Sequence, residues 1–285
     1  MIPLRSPAEI DAIARAGSVV DRVLTELLRA CTPGVATREL DSRAREHLRQ
    51  HGAVALFPGV SIKNQPPFPA AVCVCVNEEV THGVPGDRVL QPGDLVCVDL
   101  GASVDGWCAD ASRATVVGEH SPARAARQAL LAAAHAANRA GVTAIAPGVR
   151  WSDVADAVRR AAELAACRVA PGFAGHGIGR SLHEPPRAPM FLGPRDDFIL
   201  RPGMVLTVEP ILLGPPAPSS AASAESRQAG PACLTTRIDG WTVATTDGSE
   251  ACQIEETVAV VRGGVRVLTS SGVPPLDQGG GWRSD

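Results

Sequence analysis

The chain has 285 residues, and 45% of them are hydrophobic, so it is long enough to bury one large core or two small ones. Its formal net charge is −3, only 3% of its residues are aromatic, and it contains no tyrosine. This composition argues against a nucleic-acid or anionic-membrane surface, which needs clustered basic charge, and against modules that stack bases on aromatic rings.

The N-terminal segment and the cysteines indicate the compartment. Charge and a helix start occur too early for a secretory signal peptide, and no run of 18 apolar residues is present. We therefore expect a cytoplasmic protein with no membrane span. Most of the eight cysteines lie in apolar, strand-like runs such as 72–76 and 96–98, and no Cys-x-x-Cys occurs. We interpret them as buried free thiols rather than disulfides or a zinc ribbon.

Capping signals and hydrophobic periodicity predict the elements in chain order. Ser6-Pro7-Ala8-Glu9 is a capping box with proline at the first helical position, and apolar residues follow it at helical spacing. Further helices are predicted over Thr37–His51, over Ser121–Gly141 and from Ser152 to about Cys167. The predicted strands cover residues 71–78, 94–101, 107–117, 203–211, 252–261 and 264–270.

A set of Pro-Gly turns recurs at similar spacing in the two halves of the sequence. The paired turns are Pro33-Gly34-Val35 with Pro147-Gly148-Val149, and Pro92-Gly93-Asp94 with Pro202-Gly203-Met204. In each copy a carboxylate, Asp99 or Glu209, follows the second turn at the same distance. The pattern predicts two αβ halves related by a pseudo-twofold axis, with acidic ligands supplied by both. Chance recurrence is the weaker alternative, since the chain has 24 Pro and 28 Gly.

Two segments have too little apolar bulk to offset their ordering entropy. Residues 214–231 consist almost entirely of Pro, Ala, Ser and Gly, and residues 271–285 have a similar composition. We predict a flexible surface insertion at 214–231 and a disordered C-terminal tail at 271–285.

Two aspartates occupy the predicted hairpin around Asp105-Gly106. Asp99 lies in an otherwise apolar strand, and Asp110 follows across the turn, so both should fall on one face, roughly 5 Å apart. Either aspartate alone would suit a turn or hydrogen-bonding role. Together they repel each other when partly buried, and a cation or a shared proton would relieve that repulsion.

The second half adds further candidate ligands. His176 lies among glycines in Gly175–Gly179, Glu209 ends a strand, and Glu255 precedes an apolar run. The glycines lack the dinucleotide-binding spacing. The prolines after His183-Glu184 exclude a zincin helix. Four carboxylates with one imidazole suit Mn, Fe, Co or Zn, and two ions more naturally than one, whereas a closed zinc site uses more Cys and His.

The set of motifs resembles the type I methionine aminopeptidase family over about residues 4–270. The motifs are Val76-Asn77-Glu78-Glu79-Val80-Thr81-His82-Gly83, Val98-Asp99-Leu100-Gly101, Gly175-His176-Gly177-Ile178-Gly179, Thr207-Val208-Glu209-Pro210 and Gln253-Ile254-Glu255. The resemblance implies the α+β pita-bread fold, with two pseudo-twofold-related halves around an antiparallel sheet. Residues 1–270 would form a single catalytic domain that includes the 214–231 insertion.

The resemblance also assigns site residues. It implies two divalent ions, of Co, Mn, Fe or Zn, held by Asp99, Asp110, His176, Glu209 and Glu255, of which Asp110 and Glu255 would bridge them. A water activated by the ions would attack the peptide bond, with Glu209 as general base. His183 would stabilise the oxyanion and His82 would contact the substrate amide. The family's methionine pocket falls on Phe68, Cys73, Leu182 and Trp241.

The implied substrate is a peptide or nascent chain that begins with methionine, with transient ribosome proximity and a monomeric enzyme. The sequence departs from the usual family pattern at Phe68, where Tyr is common, at Gln65, which is often aromatic, and at Glu256, which is usually His.

Two alternatives share the fold. A prolidase or Xaa-Pro aminopeptidase usually carries a large extra N-terminal domain, and here the first helix of the catalytic half opens the sequence, so we expect the methionine enzyme. A metal-free binding protein would be expected to have lost ligands, and all five are present. A two-metal hydrolase of unrelated fold is a weaker third alternative.

Overall fold

The structure is a computed structural model that describes residues 1–62, 65–119, 121–193, 196–215 and 234–270. Within these residues the helices are α1 (Pro7–Ala30), α2 (Thr37–Gln50), α3 (Arg124–Ala144) and α4 (Trp151–Leu164). The strands are β1 (Val54–Ala55), β2 (Cys73–Val76), β3 (Glu79–Thr81), β4 (Leu95–Val104), β5 (Trp107–Val116), β6 (Arg168–Val169), β7 (Ala174–Gly177), β8 (Glu184–Pro189), β9 (Val205–Val208), β10 (Ile211–Leu213), β11 (Leu234–Thr236), β12 (Val243–Thr245), β13 (Ala251–Gln253), β14 (Glu256–Val261) and β15 (Gly264–Val267). Nearly all of the predicted 214–231 insertion, and the whole predicted tail at 271–285, fall outside the described residues.

The strands form four sheets, and each pairing between the described strands is antiparallel. The first half contributes the sheet β1-β4-β2, in which β5 also pairs with β4. The second half contributes the sheet β15-β14-β9-β7-β8. Two smaller sheets have the orders β13-β10-β6 and β11-β12-β3. The predicted combination of helices with antiparallel sheets is confirmed.

The two helix pairs are buried in two separate cores. The capping box begins α1, because Ser6 N–H donates to the Glu9 carboxylate at 2.8 Å and Glu9 N–H donates back to Ser6 Oγ at 3.4 Å. The apolar face of α1 packs in one core with β4 and β5, in which Leu24 is fully buried. In the second half, Trp151 of α4 is fully buried in another core with Leu206 of β9.

The repeat predicted from the Pro-Gly turns is confirmed in the backbone hydrogen bonds. Gly34 N–H donates to the Leu90 carbonyl at 2.9 Å, and Gly148 N–H donates to the Leu200 carbonyl at 2.9 Å. The four turn glycines have φ values of 93° at Gly34, 94° at Gly93, 88° at Gly148 and 94° at Gly203. A side chain strongly disfavours this region, so the turns require glycine, and the same local structure occurs once in each half.

The predicted boundaries of the third helix were wrong at both ends, because α3 begins at Arg124 and continues past Gly141 to Ala144. A Cβ on Gly141 would lie 2.6 Å from Val158 Cγ2, so this glycine allows α3 and α4 to pack closely and does not end the helix. The fourth helix ends at Leu164 rather than near Cys167.

Two predicted strands are interrupted where candidate ligands lie. The predicted strand 203–211 consists of β9 and β10, and the predicted strand 252–261 consists of β13 and β14. The breaks contain Glu209 and Glu255, and Pro210 has no N–H to donate to a sheet. Both glutamates therefore lie at strand ends, where the regular alternation of side chains stops.

Two predictions about cysteines and membranes can be compared with the described residues. Seven cysteines there are free and buried, which confirms the interpretation of those residues, whereas Cys233 lies outside the described segments. No helix in those segments combines the length and apolar character needed to cross a membrane.

Candidate active site

The β4–β5 hairpin places the two predicted aspartates on one face. Asp99 pairs with Ser112, and Asp110 pairs with Gly101, so the aspartates are diagonal neighbours rather than directly opposite. The two carboxyl groups still interact, because burial and then the neighbouring Asp110 carboxylate raise the pKa of Asp99. A Cβ on Gly101 would lie 3.3 Å from Asp110 Oδ1, so glycine at this position keeps space free beside the carboxylate.

The second half brings three more side chains to the same place. His176 lies on β7, Glu209 follows β9, and Glu255 precedes β14. His176 Nε2 is 3.7 Å from Glu209 Oε1 and 3.9 Å from Asp110 Oδ2. One potential ligand atom each from Asp110, His176 and Glu255 lie within 4.8 Å of one another. Potential ligands from both halves therefore converge.

Hydrogen bonds orient the imidazole and its neighbouring glutamate. His176 Nδ1 lies 3.0 Å from the Gly177 carbonyl, an acceptor, which places the proton on Nδ1 and leaves the Nε2 lone pair facing the carboxylates. His176 N–H donates to Thr207 Oγ1 at 3.0 Å, and Thr207 Oγ1 donates to Glu209 Oε1 at 2.7 Å. One threonine thus orders both groups, as partners of metal ligands commonly do.

The glycines on either side of His176 are required by close backbone packing. A Cβ on Gly175 would lie 2.5 Å from the Thr207 carbonyl oxygen. A Cβ on Gly177 would lie 2.2 Å from the Pro185 carbonyl oxygen. The Gly-His-Gly motif therefore lets β8 and β9 pass close to the strand that carries the imidazole.

The four carboxylates are crowded together in a buried part of the site. Burial raises the pKa of Asp110 to about 7 and that of Glu209 to about 8. Burial and the neighbouring carboxylates raise the pKa values of Asp99 and Glu255 well above their usual range.

Three carboxylate oxygens of this cluster are buried and find no hydrogen-bond partner among the described residues. They are Asp99 Oδ1, Asp110 Oδ1 and Glu255 Oε1. Buried polar atoms are nearly always paired, so these oxygens indicate a missing positively charged group. Oxygen ligands with one imidazole nitrogen suit divalent transition metals, so the donor set fits the predicted metal ions.

Two further histidines face the same cavity. The ring of His183 lies 4.4 Å from that of His176, and the ring of His82 lies 6.1 Å from that of Trp241, measured between centroids. Burial lowers the pKa of both His82 and His183. Both imidazoles are therefore neutral at pH 7, and each has one N–H to donate and one nitrogen to accept.

An apolar wall adjoins the carboxylates. The cavity has a volume of about 740 Å³, and its apolar side includes Phe57, Phe68, Cys73, Leu182 and Trp241. The Phe68 ring packs edge-on against Trp241 at 5.2 Å and against Phe57 at 6.3 Å. Trp241 Nε1 donates to the Pro66 carbonyl at 2.8 Å, which satisfies its only polar atom. The wall can therefore accept an apolar side chain beside the candidate metal ligands.

Comparison with known proteins decides the family. The model of metallopeptidase family M24 matches residues 11–262. The chain belongs to metallopeptidase family M24. Proteins that are similar to this chain over nearly its whole length include methionine aminopeptidases. Methionine aminopeptidase 1 of Mycobacterium tuberculosis is 38% identical over 94% of this chain and 95% of that protein. Methionine aminopeptidase 1 of Bacillus subtilis is 33% identical over 94% of this chain and 99% of that protein.

Solved structures of similar proteins confirm the pita-bread fold. The methionine aminopeptidase of Thermotoga maritima superposes with a TM-score of 0.82 at 30% identity, covering 95% of this chain and all of that one. Prolidase from Pyrococcus furiosus superposes with a TM-score of 0.68 at 21% identity, covering 94% of this chain but 65% of that one. The likeness to the prolidase concerns the fold alone.

Every site residue predicted from the resemblance to type I methionine aminopeptidases lines the one cavity described above. The predicted metal ligands there are Asp99, Asp110, His176, Glu209 and Glu255. The predicted catalytic and substrate-contacting residues there are Phe68, Cys73, His82, Leu182, His183 and Trp241. Their proximity agrees with the prediction, whereas the role of each residue stays a prediction.

Sequence reasoning missed several residues of this M24 site. Phe57 and Phe173 line the cavity, and Thr207 orders two candidate ligands. Gln253 Nε2 donates to Glu255 Oε2 at 3.3 Å. Thr207 and Gln253 belong to the same short motifs as Glu209 and Glu255, two residues before each glutamate, and this repeated spacing could have signalled them. Phe57 and Phe173 lie in irregular segments that carry no such signal.

Proposed function

We propose that this M24 metallopeptidase removes methionine from the N-terminus of peptides and nascent chains, using two divalent metal ions. The observation that carries the proposal is the convergence of buried carboxylate oxygens that have no hydrogen-bond partner in the part of the chain that the structure describes, beside an apolar wall in the same cavity. The similarity to methionine aminopeptidases over nearly the whole chain supports the choice of substrate.

The donor set divides between two ions. Asp110 and Glu255 would be shared, Asp99 would complete one site, and His176 with Glu209 would complete the other. Ions of this kind lower the pKa of a coordinated water and polarise a carbonyl group. Ligand chemistry leaves Mn, Fe, Co and Zn open as the native metal.

Glu209 is the proposed general base. Thr207 donates to its Oε1 and so restrains the carboxylate at the edge of the cavity. From this position Glu209 would accept the proton of the attacking water and return it to the leaving amine.

The neutral histidines would bind the peptide group. His183, next to His176, would donate to the scissile carbonyl oxygen as negative charge develops there. His82, beside Trp241, would contact the amide on the other side of the substrate side chain. Because the pKa of each imidazole is lowered, both are neutral, and each can direct one N–H without the desolvation cost of a charge.

The apolar wall would select the side chain. Methionine is unbranched and flexible, and its thioether makes favourable contacts with aromatic rings such as Phe68 and Trp241. The free α-amine of the substrate would lie near Asp99, at the carboxylate end of the cavity. This arrangement would restrict cleavage to the first peptide bond.

The experiment uses purified protein with Met-Ala-Ser and an Ala-Pro peptide, first with a chelator and then with single metals restored. We expect release of methionine only when Mn, Fe, Co or Zn is present. Cleavage of the Ala-Pro peptide in preference to Met-Ala-Ser would favour a prolidase-type activity. Tight peptide binding without cleavage by the metal-replete protein would favour a non-catalytic binding protein.

We also propose that the enzyme acts as a monomer in the cytoplasm and meets nascent chains close to the ribosome. Sedimentation velocity tests whether the protein is a monomer. Co-pelleting with translating ribosomes tests whether it lies close to the ribosome. A stable dimer would contradict the monomer without affecting the proposed chemistry.

A further inference from the structure

A buried cluster of polar and charged side chains lies beside the candidate metal site, outside the set of residues that line the cavity. At its centre is Arg113 of β5, whose side chain is only 16% exposed. Its guanidinium donates to Asp21 Oδ1 at 3.1 Å, to Glu256 Oε2 at 3.0 Å and to the Thr269 carbonyl at 2.9 Å. One side chain therefore joins α1, β5, β14 and the segment that follows β15.

Arg113 also holds the backbone of a proposed metal ligand. Its Nη1 donates to the Glu255 carbonyl at 2.7 Å and to the Ser112 carbonyl at 3.2 Å. Ser112 and Glu255 are joined by two backbone hydrogen bonds of 3.4 and 3.1 Å, at the point where the first-half hairpin meets the second half. The guanidinium therefore bonds to carbonyls on both sides of this junction.

A hydrogen-bond path continues from Glu256 to the other shared ligand. Glu256 Oε2 accepts from Thr269 Oγ1, and Thr269 Oγ1 accepts from Thr257 N–H at 3.1 Å. Thr257 Oγ1 accepts from Asp110 N–H at 3.0 Å and donates to the Asp110 carbonyl at 2.7 Å. The backbones of Asp110 and Glu255 are thus attached to one buried network.

We propose that Arg113, together with Glu256, is a positioning residue that sets the separation of Asp110 and Glu255 and thereby the metal affinity of the site. This inference rests on the metal site of the proposed function. A planar guanidinium presents its donors in a fixed fork, whereas the lysine ammonium is a compact group on a flexible stem. Lysine at position 113 would keep the charge but could not bond to Glu255, Glu256 and Asp21 together.

The test compares Arg113→Lys with a matched control, Arg127→Lys. The Arg127 side chain is 14% exposed, and it donates to Glu250 Oε1 and to the Gly93 carbonyl, both at 2.7 Å. Neither partner lines the cavity. Each metal-free protein is titrated with Co²⁺ by calorimetry, and its Tm is measured separately. We expect Arg113→Lys to raise the Co²⁺ dissociation constant roughly 10- to 100-fold, as loss of a group that orients a metal ligand does.

Arg127→Lys should lower Tm and leave the Co²⁺ dissociation constant unchanged. If Arg113→Lys lowers Tm in the same way without weakening Co²⁺ binding, the network is structural only and the inference fails. Glu256→Gln, which keeps a hydrogen-bonding amide, provides a second variant if Arg113→Lys does not fold, and it should also weaken Co²⁺ binding. Because no peptide enters the titration, absence of methionine release by the wild type would overturn the proposed function and leave this inference standing.

Discussion

Asp99 and Asp110 lie diagonally across the β4–β5 hairpin, because Asp99 pairs with Ser112 and Asp110 pairs with Gly101. The diagonal arrangement lets the two carboxyls approach each other beside Gly101, which has no side chain to fill the space. Each retains one buried oxygen without a partner among the described residues. The hairpin thus supplies two acceptors in a fixed arrangement before any second-half residue is added.

Asp110→Asn should abolish turnover while leaving the fold intact. The amide keeps the shape of the side chain but removes a negative charge that the metal ions need, so kcat on Met-Ala-Ser should fall roughly a thousandfold, equivalent to several kcal/mol. Asp105→Asn is the matched control, since Asp105 is exposed at the turn of the same hairpin and asparagine tolerates its φ of 51°. Near-wild-type kcat for Asp110→Asn would contradict the proposed shared ligand.

Removal of metal should make stability fall as the pH rises. Burial raises the pKa of Asp110 to about 7 and that of Glu209 to about 8, above the values of about 4 expected in the unfolded chain. Between about pH 4 and pH 8 these two carboxyls have lost their protons in the unfolded chain but keep them in the folded chain. The free energy of unfolding therefore decreases as the pH rises to about 8. Buried histidines act in the opposite direction below about pH 6.5, because their pKa values are lowered.

Calorimetric Tm values in a chelator, measured from pH 6.5 to 8, test this prediction. The metal-free protein should lose stability across that window, and saturating Mn²⁺ should abolish the loss because the cations replace the protons. A metal-free Tm that rises over the same window would show that the four carboxylates are not stabilised by protonation.

The sequence predicted the parts of this molecule that depend on local chemistry. The capping box at Ser6 and the Pro-Gly turns follow from backbone preferences, so they appear in the structure as expected. The clustering of Asp99, His176 and Glu209 followed from family-like motifs. Their convergence depends on the two halves meeting, which no local pattern encodes.

Other features depend on contacts between distant segments and could not be predicted. Arg113 resembles any charged residue in a strand until Asp21 and Glu256 are brought beside it. Gly141 resembles a helix terminator until Val158 is packed against it. The role of Arg113 depends on partners that are distant in sequence, so its residue type alone indicates no role. The role of Gly141 depends on packing against another helix, so its residue type alone indicates the wrong one.

Phe57→Leu should change selectivity at the apolar wall. Phe57 is 8% exposed and packs edge-on against Phe68, so a smaller side chain would enlarge the pocket. We expect kcat/KM for methionine substrates to fall about tenfold relative to substrates with a larger first side chain such as Phe, within the range that hydrophobic pockets usually discriminate.

The control for pocket size is Phe198→Leu. Phe198 stacks on Trp151 at 5.7 Å in the second-half core, outside the cavity. Phe198→Leu should lower Tm without changing the ratio of kcat/KM for methionine substrates to kcat/KM for substrates with a larger first side chain. If Phe57→Leu also leaves this ratio unchanged, Phe57 does not contribute to the selectivity of the pocket.

His183→Ala should lower kcat far more than it changes KM or metal content. The imidazole is neutral and lies beside His176, where its N–H can stabilise charge that forms only in the transition state, so kcat should fall about 100- to 1,000-fold. His47→Ala on α2, outside the cavity, is the control and should leave kcat unchanged. Steady-state kinetics and elemental analysis separate the alternatives: loss of bound metal would make His183 a ligand, and a rise in KM alone would limit it to substrate binding.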